Sequence, residues 1–238
     1  MIDHNLLDIE EALMAANSLR GAVFTLKNHV PEFMGYNIGY EYFVREHSYM
    51  RGDVIVQTTL PHDVTQQYAP SGGQNADPII ENIAQLKDRY TVDLTTIIAG
   101  KQSKYKNKFF TALSNIGVKT MTAYAFLPPD SHGFGALTIL EEVPNASHTY
   151  PPERFAEIGF QFHTLMKRQG QLKRYLGINA KEQAVLERMA DGKTAQDAAQ
   201  EFGVTPRTIE MRLQSARQKL KARTTTEAVF KSVCYGIL

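Results

Sequence analysis

Between Thr194 and Leu220 the chain reads as a short capped helix, a glycine turn and a longer helix, a combination that few other backbones satisfy. Thr194 with Asp197 forms a capping pair, and Ala198, Ala199 and Phe202 follow on one face. Gly203 supplies the tight turn. Thr205-Pro206 then opens the longer helix, with proline in its first turn, and Ile209, Leu213, Ala216 and Leu220 recur at spacings of four, three and four. The alanines let two helices cross closely. This is the pattern of a helix-turn-helix. Ahead of it, Asn179 caps a helix whose third residue is Glu182, with Val185, Leu186 and Met189 as its apolar stripe and Asp191-Gly192 as its end. Behind it, Thr225 to Tyr235 reads as a fourth helix. Its Ala228, Val229, Phe230 and Val233 offer more apolar surface than so small a domain hides, and self-association is the expected use. Residues 179–238 are thus predicted to be an all-α four-helix domain.

Charge gives that domain a partner. Net charge is only +1, yet residues 167–238 carry 14 basic against 7 acidic residues, and the rest of the chain is acidic. Residues 206–223 hold Arg207, Arg212, Arg217, Lys219, Lys221 and Arg223 against the single acid Glu210. A basic helix face by itself is usually only solvated, but on a helix-turn-helix frame it is expected to meet double-stranded DNA. The first turns of the recognition helix enter the major groove, so Arg207, Glu210, Met211 and Gln214 are the candidates for base contacts. Glu210 either accepts from a cytosine amino group or repels phosphate and holds a neighbouring arginine. Arg212, Arg217, Lys219 and Lys221 are assigned to backbone phosphates. A two-fold dimer would read an imperfect palindrome.

The larger first half has a different texture. An amphipathic helix is expected from Asp3 to Leu19. Stretches 33–44, 53–60, 119–127 and 134–141 are rich in aromatic and β-branched residues at strand length and are expected to share one sheet. Segments 61–69, 77–88 and 103–116 read as helices, the second opened by Asp77-Pro78, and 128–133 reads as a loop. A helix from Pro152 to about Lys167 closes a first domain over 1–168, and the basic, glycine-containing stretch 169–178 reads as a linker. The class is α/β or α+β. Acidic residues within the first twenty exclude a signal peptide, and no apolar run reaches membrane-spanning length, so a cytoplasmic location without membrane contact is expected. The one cysteine, Cys234, excludes an internal disulfide and reads as a small buried hydrophobe.

The tail resembles the LuxR family. The resemblance rests on Asn-Ala-Lys-Glu-Gln-Ala-Val-Leu at 179–186, Gly192-Lys193-Thr194, and Thr208-Ile209 through Ala216, Lys219-Leu220 and Ala228; the motif glutamate, leucine and glycine fall on Glu182, Leu186 and Gly192. The first half is similar to the quorum-sensing members of that family through Tyr68 placed nine residues before Asp77-Pro78. The resemblance implies an α-β-α sandwich, hence an α+β chain overall, a homodimer, and an acyl-homoserine lactone between the sheet and the helices on one face. By the same resemblance Asp77 accepts the ligand's amide N–H, and Tyr68 or Thr138 bonds its acyl carbonyl. Four positions depart from the family: Val64 stands at a tryptophan that bonds the lactone carbonyl, Leu60 at a common pocket tyrosine, Val92 near a second tryptophan, and Met121 near a glycine expected after Gly117-Val118. The missing donor leaves two readings, a pocket for a long-chain lactone or another apolar molecule, and an orphan regulator with a ligand-independent dimerising core. Without any ligand, Tyr68 reads as a core tyrosine and Asp77 as a helix cap.

Gly192-Lys193-Thr194 lacks the earlier glycine of a phosphate loop, since Glu187 stands there. No histidine pair has metal-ligand spacing and no nucleophile elbow occurs, so neither an enzyme nor a cofactor is expected. An interaction module that pairs with another regulator as a heterodimer is the alternative, and Glu210 is its basis.

Overall fold

Strand Asn37–Val44 (β1) is buried at seven of its eight positions and Gly133–Glu141 (β5) along its whole length, which requires a sheet covered on both faces. The computed structural model describes residues 9–44, 54–71, 73, 77–83, 88–99, 108–127, 133–144 and 150–238. With Val54–Thr58 (β2), Arg89–Asp93 (β3) and Thr120–Phe126 (β4), the two strands form one antiparallel sheet in the order β2-β1-β5-β4-β3. Register sorts the side chains by the two-residue period of a strand. Glu41 lies opposite Val56 and Ala136, and Ala123 opposite Thr138, so these share one face with Phe43, Met121 and Leu140. Ile38, Tyr40, Tyr42, Tyr124 and Phe126 point the other way.

The second face is covered by Leu19–His29 (α2, preceded by Glu10–Met14, α1) and by the start of Pro152–Arg168 (α7). Phe155 stacks on Tyr124 with ring centres 4.2 Å apart, Phe162 meets Tyr40 edge-on at 5.2 Å, and the Tyr40 hydroxyl bonds His163 Nδ1 at 2.8 Å. Phe126 fits in a slot cut by two glycines: a Cβ on Gly135 would lie 2.1 Å from its ring, and one on Gly159 2.4 Å. The first face is covered by His62–Thr65 (α3), Pro78–Ile83 (α4), Leu94–Ala99 (α5) and Lys108–Asn115 (α6). The result is the expected α-β-α sandwich.

Several elements differ from expectation. In place of one opening helix there are two, because the Ser18 hydroxyl accepts from the Gly21 N–H at 3.1 Å and starts α2 at Leu19. Residues 1–8 lie outside the described residues, as do 84–87 and 103–107 of two expected helices and 128–132 of the expected loop. The strand expected from 33 begins only at Asn37, since Pro31–Phe33 forms a 3-10 turn. β3 and α5 had no counterpart in the sequence reading. β3 is an exposed edge with little apolar alternation.

The chain divides into two units, 1–164 and 165–238. In the second, the stretch expected as a linker carries a helix, Gln171–Leu176 (α8), bounded by Gly170 and Gly177 with φ of 65° and 71°. Leu172 and Ile178 are buried, which explains its order. Ala180–Ala190 (α9), Ala195–Glu201 (α10), Pro206–Lys219 (α11) and Thr225–Cys234 (α12) follow. Reciprocal capping boxes begin α9 at Asn179 and Glu182 and α10 at Thr194 and Asp197. Gly203, at φ 62°, turns the chain from α10 into α11, which Thr205 caps. Ile209, Leu213, Ala216 and Leu220 pack inward with Ala198, Ala199, Val185 and Leu186. Cys234 is fully buried.

Candidate nucleic-acid interface and ligand cavity

On α11 the exposed residues are set by the core they oppose. With 3.6 residues per turn, Arg207, Glu210, Met211, Gln214 and Gln218 fall on the face away from Ile209, Leu213 and Ala216. Arg207, Glu210 and Gln214 are exposed, and Met211 is 60% exposed, an unusual position for a methionine unless something covers it. Arg212 and Arg217 flank this face, half-buried, and Lys221 is exposed just beyond the helix end. All four residues proposed for base contact therefore share one surface.

Lys219 is a correction. Its ammonium donates to Glu182 Oε1 at 2.6 Å, to Glu182 Oε2 at 2.8 Å and to the Gly177 carbonyl at 2.9 Å. An ammonium has three N–H groups, so all are used within the domain and none is left for a phosphate. Glu182 is buried and also accepts from Ser215 Oγ at 2.7 Å and from the Asn179 N–H at 2.8 Å. Burial pushes its carboxyl up, but the Lys219, Asn179 and Ser215 hydrogen bonds outweigh that and hold it below its ordinary value. Lys231 is likewise turned inward, bonded to the Lys221 carbonyl at 3.0 Å and Glu227 at 3.1 Å. Basic residue count thus overstates the cationic surface. Sequence spacing could not reveal this, although a lysine on the same side of α11 as the capping glutamate's helix was a usable signal.

In the first domain a cavity of about 140 Å³ lies between the sheet and the helices on its first face. Tyr68, Asp77, Thr138 and Leu60 line it, together with Gly39, Glu41, Val56, Thr58, Thr65, Phe109, Met121 and Leu140. Val64 and Val92 are absent from that lining: both are buried in the apolar core around it, a correction for the two positions where the family carries tryptophan. The Tyr68 hydroxyl donates to Asp77 Oδ2 at 3.0 Å, and Asp77 Oδ1 accepts from the Ile79 N–H at 2.9 Å. Asp77 is thus both the cap of α4 and a wall of the cavity. Burial pushes its carboxyl up to about 6, against the lowering effect of those hydrogen bonds.

Glu41 was missed by the sequence reading. It sits on β1 facing the cavity, buried, and its Oε2 accepts the Thr138 hydroxyl at 3.0 Å. Burial, reinforced by the Asp77 charge, pushes its carboxyl up to about 8. Among the described residues, no lysine, arginine or histidine lines the cavity.

An antiparallel sheet sandwiched between helices is joined to a capped helix-turn-helix with an exposed arginine- and glutamine-bearing face. Residues 178–232 match the family of bacterial regulatory proteins, luxR family. Curated proteins give no match. Among solved structures, Escherichia coli SdiA is 14% identical with a TM-score of 0.50, covering 98% of this chain and 99% of that one. SdiA in complex with octanoyl-rac-glycerol is 12% identical, TM-score 0.49, covering 99% and 97%. CepR2, an N-acylhomoserine lactone dependent LuxR family transcription factor from Burkholderia cenocepacia, is 15% identical, TM-score 0.45, covering 68% and 90%. The likeness to the first shows the two-domain fold. No helix among the described residues is long and apolar enough to cross a membrane.

Proposed function

We propose that this protein is a cytoplasmic transcription regulator, not an enzyme, that binds an imperfect DNA palindrome as a homodimer under the control of a small molecule held in the first-domain cavity. The carrying observation is the outward face of α11, where Arg207, Glu210, Met211 and Gln214 stand together opposite the helix's buried seam. Arginine and glutamine are the side chains that pair with guanine and adenine edges in the major groove, and Met211 can pack on a thymine methyl. Arg212, Arg217 and Lys221 supply phosphate contacts, so affinity falls with salt. For control by a ligand, the support is a partly open cavity with six polar side chains, Glu41, Thr58, Thr65, Tyr68, Asp77 and Thr138, among apolar walls, the form of a small-molecule site.

The test is selection of binding sites from random duplex DNA by the purified full chain, followed by anisotropy titration at several salt concentrations. Enrichment of one two-fold symmetric sequence, bound at least a hundredfold tighter than mixed DNA, is expected. Recovery of no sequence at any salt concentration would overturn the assignment and leave an interaction module as the better account.

A further inference from the structure

We infer that the first-domain cavity is built for a compact molecule bearing a protonated amine, seated against Glu41 and Asp77, and not for a long-chain acyl lactone. The inference rests on the reading of this cavity as a ligand site and specifies what enters it. Glu41 is only 7% exposed and is aimed into the cavity from the middle of β1. One carboxylate oxygen takes the Thr138 hydroxyl, and among the described residues the other, Oε1, has no hydrogen-bond partner. Gly39 makes room for it: a Cβ at that position would lie 2.6 Å from Glu41 Oε1. Asp77 adds a second buried carboxyl on the opposite wall, and among the described residues the lining holds no cation to balance either.

Burying carboxylates without a partner is costly, and here the cost is met by holding Glu41 largely protonated. An ammonium entering the cavity supplies the missing charge and up to three N–H donors to Glu41 Oε1 and Asp77. The rings of Tyr68 and Phe109, edge to face at 5.0 Å, add aromatic walls that favour a cation. A lactone carries no positive charge, so its carbonyl oxygens could take the proton of a protonated Glu41 but would bring no counter-charge to either carboxyl. Size points the same way. A cavity of about 140 Å³ matches the roughly 150 Å³ that holds a single benzene ring, and is well below the roughly 300 Å³ at which sites for larger ligands begin.

The test compares benzylamine, its neutral counterpart benzyl alcohol and N-octanoyl homoserine lactone as ligands of the full-length protein, by calorimetric titration and thermal shift, with Glu41→Gln alongside. Benzylamine is expected to bind at least tenfold tighter than benzyl alcohol and to lose at least tenfold in Glu41→Gln, a variant that keeps the side chain's shape. Preferential binding of the lactone, or amine binding unchanged in Glu41→Gln, would overturn the inference while leaving a ligand-controlled regulator. Binding of none of the three by folded protein that still selects a DNA site would overturn both this inference and ligand control at this cavity. Should Glu41→Gln fail to fold, Thr138→Val, which removes only the Glu41 hydrogen-bond partner, is expected to alter amine affinity with little effect on benzyl alcohol.

Discussion

Glu41→Gln is expected to stabilise the ligand-free first domain at neutral pH and to remove most of its pH dependence between 6 and 8. The carboxyl ordinarily titrates at 4.5 and is pushed up to about 8 in the fold. The folded state therefore binds a proton that the unfolded chain releases, so stability is greatest below the unfolded value and falls as pH rises toward 8. Each tenfold displacement of an ionisation is worth about 1.4 kcal/mol, so keeping Glu41 protonated at pH 7 costs about 3 kcal/mol. Glutamine avoids that cost and still accepts the Thr138 hydroxyl. At about 2–4 °C per kcal/mol for a chain of this size, the melting temperature should rise by roughly 6–12 °C at pH 7 and hardly change near pH 4.5. Asp77 contributes with the same sign but over a lower window, from 3.8 to about 6, so the window above 6 isolates Glu41. Among the described residues, the groups facing Glu41 are Asp77 at the start of α4, Tyr68 beyond α3 and Thr138 on β5, none of them cationic. Near-ultraviolet circular dichroism is the assay, because nine of the 11 tyrosines precede residue 165 and the chain has no tryptophan. Parallel pH profiles for the two proteins, or a variant that melts lower at pH 7, would refute the account of a buried, protonated Glu41.

Other substitutions separate structure from DNA contact. Lys219→Ala should destabilise the second domain by about 3 kcal/mol in urea denaturation, because Glu182 is left buried without its cation. Arg217→Ala should leave stability unchanged and flatten the salt dependence of DNA binding by about one counterion, measured by anisotropy. Gln214→Ala should relax choice at a single base position in the selected sites, whereas a uniform loss across sequences would move Gln214 into the phosphate-contact group. Gly135→Ala should cost about 1–3 kcal/mol by forcing the Phe126 ring from its slot, and Phe126→Leu in the same chain should restore much of it, as thermal melts would report.

The helix-turn-helix was legible because its signals are local. Caps, a glycine turn and a proline in the first helical turn act over a few residues, and each appears where Asn179, Thr194, Gly203 and Thr205-Pro206 announced it. The sandwich was legible in outline because β1, β4 and β5 are buried on both faces and so read as dense aromatic and β-branched runs. β3 escaped because an edge strand with one buried residue carries no such run. Glu41 escaped for a related reason. A glutamate between Tyr40 and Tyr42 reads as the solvent side of an alternating strand, and only the packing of helices on both faces turns that side into a cavity wall. Lys219 misled because charge counts treat every ammonium alike, while the three donors of this one point at Glu182 and Gly177.

Glu182 joins two events that would otherwise be separate. Its carboxylate caps the start of α9 through the Asn179 N–H and grips the last turn of α11 through Ser215 and Lys219. The end of the recognition helix cannot fray without unseating the beginning of the helix packed beneath it. In hydrogen exchange the amides of both ends should open together with one shared rate, so this small domain offers DNA a helix that is either fully formed or absent.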